Sequence, residues 1–398
     1  MIQNVKPVRV DGQASPAGNP LKALSQFGQS VWLDYIRRDL ISSGELARLI
    51  EDDGLRGMTS NPAIFEKAMA GSPDYLPAFE ELTKRTDLSA TGIYEQIAIR
   101  DIQDAADVLR RVYDGTKRRD GYVSLEVSPL LAHKTRETIE EAVRLWKAVA
   151  RENVMIKVPG TPEGIPAIRE LIGRGININV TLLFAQDVYE RVAETYMAGL
   201  TDLLASGGDP SQVASVASFF VSRIDTLIDH KLGEMLKNPA TGLDPRLVRS
   251  LEGKVAIANA KLTYAKYKGI FSGSRWRALA DRGATTQRVL WASTGTKNPA
   301  YSDVLYVEEL IGPDTVNTMP PATLDAFRDH GKPRASLEEQ TEAAQRTMDD
   351  LARVGISMKA VTDQLTEDGV KLFADAFEQL LAAVDQRAKH VAAQPASR

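Results

Sequence analysis

Short apolar runs recur along this chain, separated by longer amphipathic stretches. Eight of them read as strands: Val31–Ile36, Gly57–Ser60, Tyr122–Ser128, Val154–Pro159, Asn177–Phe184, Val213–Val221, Arg288–Ser293 and Thr315–Met319. Most are near-continuous in apolar residues, as expected of strands buried on both faces of a parallel sheet. The intervening segments carry helical periodicity. Ser43 is placed to cap a helix running to Asp53 and stopping at Gly54. His133–Glu152, Pro162–Gly173 and Ala185–Ala205 each present one apolar face.

Strand and helix in alternation predict parallel βαβ units, and eight strands predict a (β/α)8 TIM barrel. A doubly wound sheet is the alternative. It usually carries a glycine-rich fingerprint after its first strand, and the chain contains neither GxGxxG nor GxxxxGK[ST]. Two connections are long and helical, Pro62–Arg119 and Ser222–Gln287, and helical patterns return at Ala335–Val354 and Gly369–Val391. Nothing reads as a linker between two cores. The expected organisation is a flexible leader over 1–24, one barrel with helical insertions and C-terminal helices over 25–385, and a tail over 386–398.

Composition narrows the chemistry. Lys and Arg total 49 against 53 Asp and Glu, a net charge of −4, which argues against a generally basic nucleic-acid or membrane-surface binder. There is no cysteine, so disulfides, thiolate catalysis and Cys-built metal sites are excluded. The four histidines, His133, His230, His330 and His390, are scattered, and no metal is expected. The N-terminal residues lack an apolar core of the signal-peptide kind, and no stretch approaches the roughly 18 apolar residues of a membrane span. A cytoplasmic location is the expectation.

Three apolar runs carry one ionisable residue at their centre: Asp34 in VWLDYI, Glu126 in VSLEVS and Lys157 in VMIKVP. An isolated charge in a two-face-buried strand is costly unless paired. Each taken alone reads equally well as a strand end or a structural ion pair; together they point to a site, since a barrel draws its working residues from several strand ends. A desolvated lysine is partly neutral near physiological pH and can attack a ketone to form a Schiff base. The protonated imine then accepts the electrons of a breaking carbon–carbon bond without a metal, while the carboxylates move protons. Asn61 follows the second strand, and Asn179 and Thr181 share one face of the fifth. Thr59 and Ser60 read as ladder or turn residues. The tryptophans Trp32, Trp146, Trp276 and Trp291 read as packing, Lys254–Arg277 as a solvated face, and His133 as a surface residue.

The runs WLDYI, MTSNPAIF, SLEVSP, VMIKVPGTPEGIPAI, GININVTLLFAQ and SFFVSRID, in that order, resemble the transaldolase family over roughly Ser25 to Leu381. WASTGTKNPAYSD and the helical C-terminal region resemble its longer bacterial forms. The resemblance implies a class I aldolase-type barrel without a cofactor. It implies transfer of a dihydroxyacetone unit from sedoheptulose 7-phosphate or fructose 6-phosphate to glyceraldehyde 3-phosphate or erythrose 4-phosphate, in the non-oxidative pentose phosphate pathway. It makes Lys157 the Schiff-base lysine, Asp34 the acid/base at the breaking bond, and Glu126 with Thr181 the handlers of the catalytic water. Asn61 and Asn179 would hold substrate hydroxyls, Ser218 would lie near the terminal hydroxyl, and Arg223 would hold the phosphate. Family members often carry a second arginine after the seventh strand. Here Ser293 is kept, Gly295 stands in the arginine's place, and Lys297 carries a charge two residues later. Sugar phosphates are the expected partners, with neither nucleic acid nor membrane, and both monomer and homodimer stay open. Two alternatives remain: an aldolase of fructose 6-phosphate type that releases free dihydroxyacetone, and a non-catalytic sugar-phosphate-binding barrel.

Overall fold

A computed structural model of the protein describes residues 18–85, 87–237 and 243–393. Eight strands, all parallel, close into one barrel in chain order. They are β1 (Gln29–Asp34), β2 (Leu55–Thr59), β3 (Tyr122–Glu126), β4 (Val154–Pro159), β5 (Ile178–Leu183), β6 (Ser215–Phe220), β7 (Arg288–Ala292) and β8 (Thr315–Met319). β1 closes the ring by pairing with β8. Helices connect the strands, and the long connections hold Ala90–Gly115 before β3 and Val255–Ile270 before β7. The (β/α)8 barrel is therefore the fold, and its buried apolar residues form a single core.

β1 begins two residues earlier than its apolar run. Gln29 and Ser30 are polar yet buried, because each has partners: Gln29 Nε2 donates to the Leu310 carbonyl at 2.7 Å, and Ser30 Oγ donates to Asp120 Oδ2 at 2.7 Å. Ser30 belongs to a polar knot at the amino ends of the strands. Arg288 donates to Asp120 Oδ1 at 2.8 Å, to Ser30 Oγ at 2.8 Å and to the Arg119 carbonyl at 2.6 Å, and Trp32 Nε1 donates to Asp120 Oδ1 at 3.2 Å. Trp32 fills the interior above this knot. A Cβ on Gly57 would stand 2.5 Å from its ring, so β2 needs a glycine there.

The leader expectation divides at the structure. Residues 1–17 lie outside the described residues. Pro20–Ala23 and Leu24–Phe27 are helical, and Leu21 and Leu24 are buried in the core. At the other end the helix Met358–Ala393 runs through the expected start of the tail, with Arg387 donating to the Ser72 carbonyl at 2.7 Å; residues 394–398 lie outside the description. That helix also starts well before Gly369, where the sequence pattern opened it. Glycine normally weakens a helix interior. Here a Cβ at Gly369 would stand 2.9 Å from Leu182 Cδ2, so its absence lets the helix lie close over the barrel. Within Lys254–Arg277, Lys261 departs from the solvated reading: it is buried, 3.4 Å from Glu309 Oε2 and donating to the Glu339 carbonyl at 3.2 Å.

Candidate active site

The carboxyl ends of the strands surround a cavity of about 370 Å³. Asp34, Asn61, Lys157, Thr181, Ser218, Arg223, Ser293 and Lys297 line it. Glu126 and Asn179 flank Lys157 in the adjoining strands, paired with it in register on either side. The eight parallel strands thus bring together residues that are distant in the chain.

Lys157 is buried and donates from Nζ to the Ser60 carbonyl at 3.2 Å. Glu126 Oε2 stands 3.5 Å from the same Nζ, in ion-pair contact but without hydrogen-bond geometry. Burial pushes the Glu126 carboxyl up to about 7, with Lys157 opposing the shift and Asp34 adding to it. Thr181 Oγ1 is fully buried and also lacks a hydrogen-bond partner. Buried oxygens without partners are uncommon, and these two stand on the strands that adjoin the one carrying Lys157.

Asp34 ends β1 and is partly buried. Burial raises its pKa, against the opposing pull of Lys157, the Thr59 hydrogen bond, Arg223 and Lys297. Thr59 Oγ1 donates to Asp34 Oδ1 at 2.7 Å and meets Thr318 Oγ1 at 2.8 Å. Thr59 is therefore a site residue as well as a ladder residue, a role its turn-like context concealed. Ser60 keeps the structural reading, its hydroxyl donating to the Ser124 carbonyl at 2.7 Å.

Asn61 Oδ1 caps the helix Pro62–Gly71 by accepting from Ile64 N at 3.1 Å while the residue faces the cavity. Asn179 is wholly buried. Its Nδ2 donates to Ser124 Oγ at 3.0 Å and its Oδ1 accepts from Ser218 Oγ at 2.6 Å. Directly beyond Thr181, Leu182 adopts φ +58° where the β5–β6 register slips. Positive φ in a bulky residue is strained, and such strain gathers at functional sites.

Arg223 opens the helix Ser222–Lys237 just past β6. Neither nearby carboxylate of its own helix takes it: Asp225 accepts from Ala256 N and Tyr306 Oη, and Asp229 from Gly253 N and Tyr301 Oη. Its guanidinium lies between two rings instead, 5.2 Å from Phe220 and 5.8 Å from Phe373, and burial lowers its pKa. Ser293, also at positive φ, meets Ser222 Oγ at 2.9 Å. A Cβ on Gly295 would stand 4.0 Å from Lys297 Nζ, so the ammonium of Lys297 folds back over the glycine.

The family-model comparison identifies residues 31–384 as transaldolase/fructose-6-phosphate aldolase. The chain belongs to that family. It is an enzyme family, and relatives match over nearly their whole length. A protein named transaldolase from Trichodesmium erythraeum is 47% identical, covering 93% of this chain and 98% of its own. Transaldolase 2 of a Nostoc species is 47% identical over 93% of this chain and 98% of its own, and the transaldolase of Thiobacillus denitrificans is 45% identical over 92% and 99%.

Several lining residues carry no site reading in the sequence, Thr318, Lys67 and Phe373 among them. Lys67 shares a helix face with Ala63 and Ile64, and its place one and a half turns past Asn61 was the available signal. Phe373 comes from the C-terminal helix, far from every site motif in sequence, and carried no signal. His133 lies on the surface, 3.1 Å from Glu163 Oε2, and does not line the cavity. Among the described residues no His, Cys, Asp and Glu group is arranged to hold a metal ion, and no helix is long and apolar enough to cross a membrane.

Proposed function

We propose that this enzyme is a transaldolase working through a Schiff base on Lys157. The observation that carries this reading is the convergence of one buried lysine and two carboxylates of raised pKa at the mouth of a family barrel. Glu126, titrating near neutrality, takes a proton from the adjacent ammonium and frees the amine. The amine adds to the C2 carbonyl of a ketose phosphate. The carbinolamine loses water with Glu126 as proton donor, beside Thr181. Asp34 takes the proton of the C4 hydroxyl as the C3–C4 bond breaks and its electrons flow into the iminium. The aldose phosphate leaves, and an enamine of dihydroxyacetone stays on Lys157 until an aldose phosphate acceptor arrives and the steps reverse.

Asn61 and Ser218 are placed for the hydroxyls of the three-carbon unit, with Asn179 holding Ser218. The phosphate falls to Arg223, Lys297 and Lys67, three cations around one mouth. The donor is sedoheptulose 7-phosphate or fructose 6-phosphate, which places the enzyme in the non-oxidative pentose phosphate pathway. Borohydride reduction in the presence of fructose 6-phosphate tests the reading. A dihydroxyacetone-derived mass on the peptide containing Lys157 is expected; labelling of another lysine, or none in active enzyme, refutes it.

A further inference from the structure

The C-terminal helix Met358–Ala393 follows β8 and crosses the barrel mouth. Gly369, Phe373 and Phe377 lie on one face of it at four-residue spacing. Gly369 meets Leu182 and, at 3.7 Å from a virtual Cβ, Arg223 Nη1. Phe373 lines the catalytic cavity, its ring centroid 5.6 Å from Lys157 Nζ and 5.8 Å from Arg223 Cζ. Phe377 lines the neighbouring cavity that reaches Glu126 and packs edge-on against Tyr94. The helix orientation is sharply set: Phe373 is 8% exposed and Leu372 beside it 55%.

We infer that Phe373 is a specificity-determining residue: it roofs the Lys157 adduct, excludes water from it, and so commits the enamine to an aldehyde acceptor. This rests on the Schiff-base reading. Release of the three-carbon unit requires protonation of the enamine at C3 and addition of water at C2. Collapse of the resulting carbinolamine then returns free dihydroxyacetone and the amine. Transfer needs no water at that stage. An apolar ring over the neutral enamine opposes the hydrolytic branch by keeping water from C3 and C2 while the acceptor is awaited. The roof belongs to no barrel strand, so it sets the fate of the intermediate without altering the groups that form it.

The test compares two rates with fructose 6-phosphate in the full-length enzyme: dihydroxyacetone released without acceptor, and transfer to glyceraldehyde 3-phosphate. In Phe373→Ala the release-to-transfer ratio should rise roughly five- to tenfold, as water gains access to the enamine. Phe373→Leu, which keeps an apolar roof, should restore most of the ratio, and Leu372→Ala should leave it unchanged. Gly369→Ala, which lifts the helix, should move the ratio the same way and serves if the first variant does not fold. Equal loss of both rates in Phe373→Ala and Gly369→Ala, with the ratio constant, overturns the inference. Borohydride trapping on wild-type Lys157 separates the two claims: trapping with an unmoved ratio defeats the roof alone, and absent trapping defeats the Schiff base beneath it.

Discussion

The barrel carries a buried ion pair at each end, and the two are built differently. At the amino ends of the strands Arg288 and Asp120 meet at 2.8 Å, both about 5% exposed, and each has further hydrogen bonds to Ser30, Trp32 or the Arg119 carbonyl. At the carboxyl ends Lys157 and Glu126 stand 3.5 Å apart, equally buried, with Glu126 Oε2 and Thr181 Oγ1 unpartnered. Saturation makes the lower pair part of the scaffold. The upper pair keeps unpartnered oxygens around it, which suits the proton exchange and new bond of the proposed mechanism. Barrels separate stability from chemistry between their two ends in this way.

The sharpest way to break this contrast is to remove one charge at each end. Lys157→Ala should lower turnover by on the order of 10⁴-fold or more in a coupled transfer assay, while its unfolding midpoint near pH 6 moves little. Its partner Glu126 escapes an unpaired buried charge by taking a proton. Asp120→Ala offers Arg288 no such escape, and denaturant unfolding should show a loss of about 3–5 kcal/mol. Its folded fraction should retain most of its kcat. A variant at Asp120 that folds normally but cannot turn over would dissolve the division between the ends.

Glu126 gives a subtler test. Its folded pKa of about 7 lies above the usual carboxyl value, so the native state binds more protons than the unfolded chain between about pH 4.5 and 7. Stability conferred by this residue therefore falls as pH rises through that window and is lowest above it, by up to about 3 kcal/mol. Subtracting the pH profile of Glu126→Gln from that of the wild type should reveal this slope; a flat difference contradicts the desolvated carboxyl. Arg223→Ala should reduce kcat/KM for phosphorylated donors about ten- to a hundredfold. Activity on free dihydroxyacetone donors should change far less. Lys67→Ala should do the same more weakly, by about two- to fivefold, since it is exposed and screened; loss on both donor classes would make it structural.

The same contrast explains what could be read from the chain. Asp34, Glu126 and Lys157 announced themselves because each interrupts an apolar run. Arg288 and Asp120 did not: one opens a strand and the other precedes one, where a charge looks solvated until the fold buries it. Gln29 and Ser30 were hidden for the same reason. All eight strands and their parallel order follow from apolar patterning, but the start of β1 depends on polar partners hundreds of residues away. The amphipathic pattern opens at Gly369, whereas the helix starts at Met358 and its close approach to Leu182 favours glycine inside it. Phe373 and Lys67 were missed because lining a cavity depends on where a helix crosses it.

The lower knot also bears on how the chain reaches its fold. Ser30 and Arg288 are separated by 258 positions, and Gln29 finds Thr315 across 286. Contacts of such separation are reached slowly, because the entropy of loop closure is spent before they reward it. Until β8 docks, β1 and β7 each present a bare strand edge, a surface prone to pairing with other chains. The knot thus acts as a latch that engages late. Weakening it should speed unfolding more than it slows folding, and the nascent polypeptide is most exposed to aggregation just before Thr315–Met319 arrives.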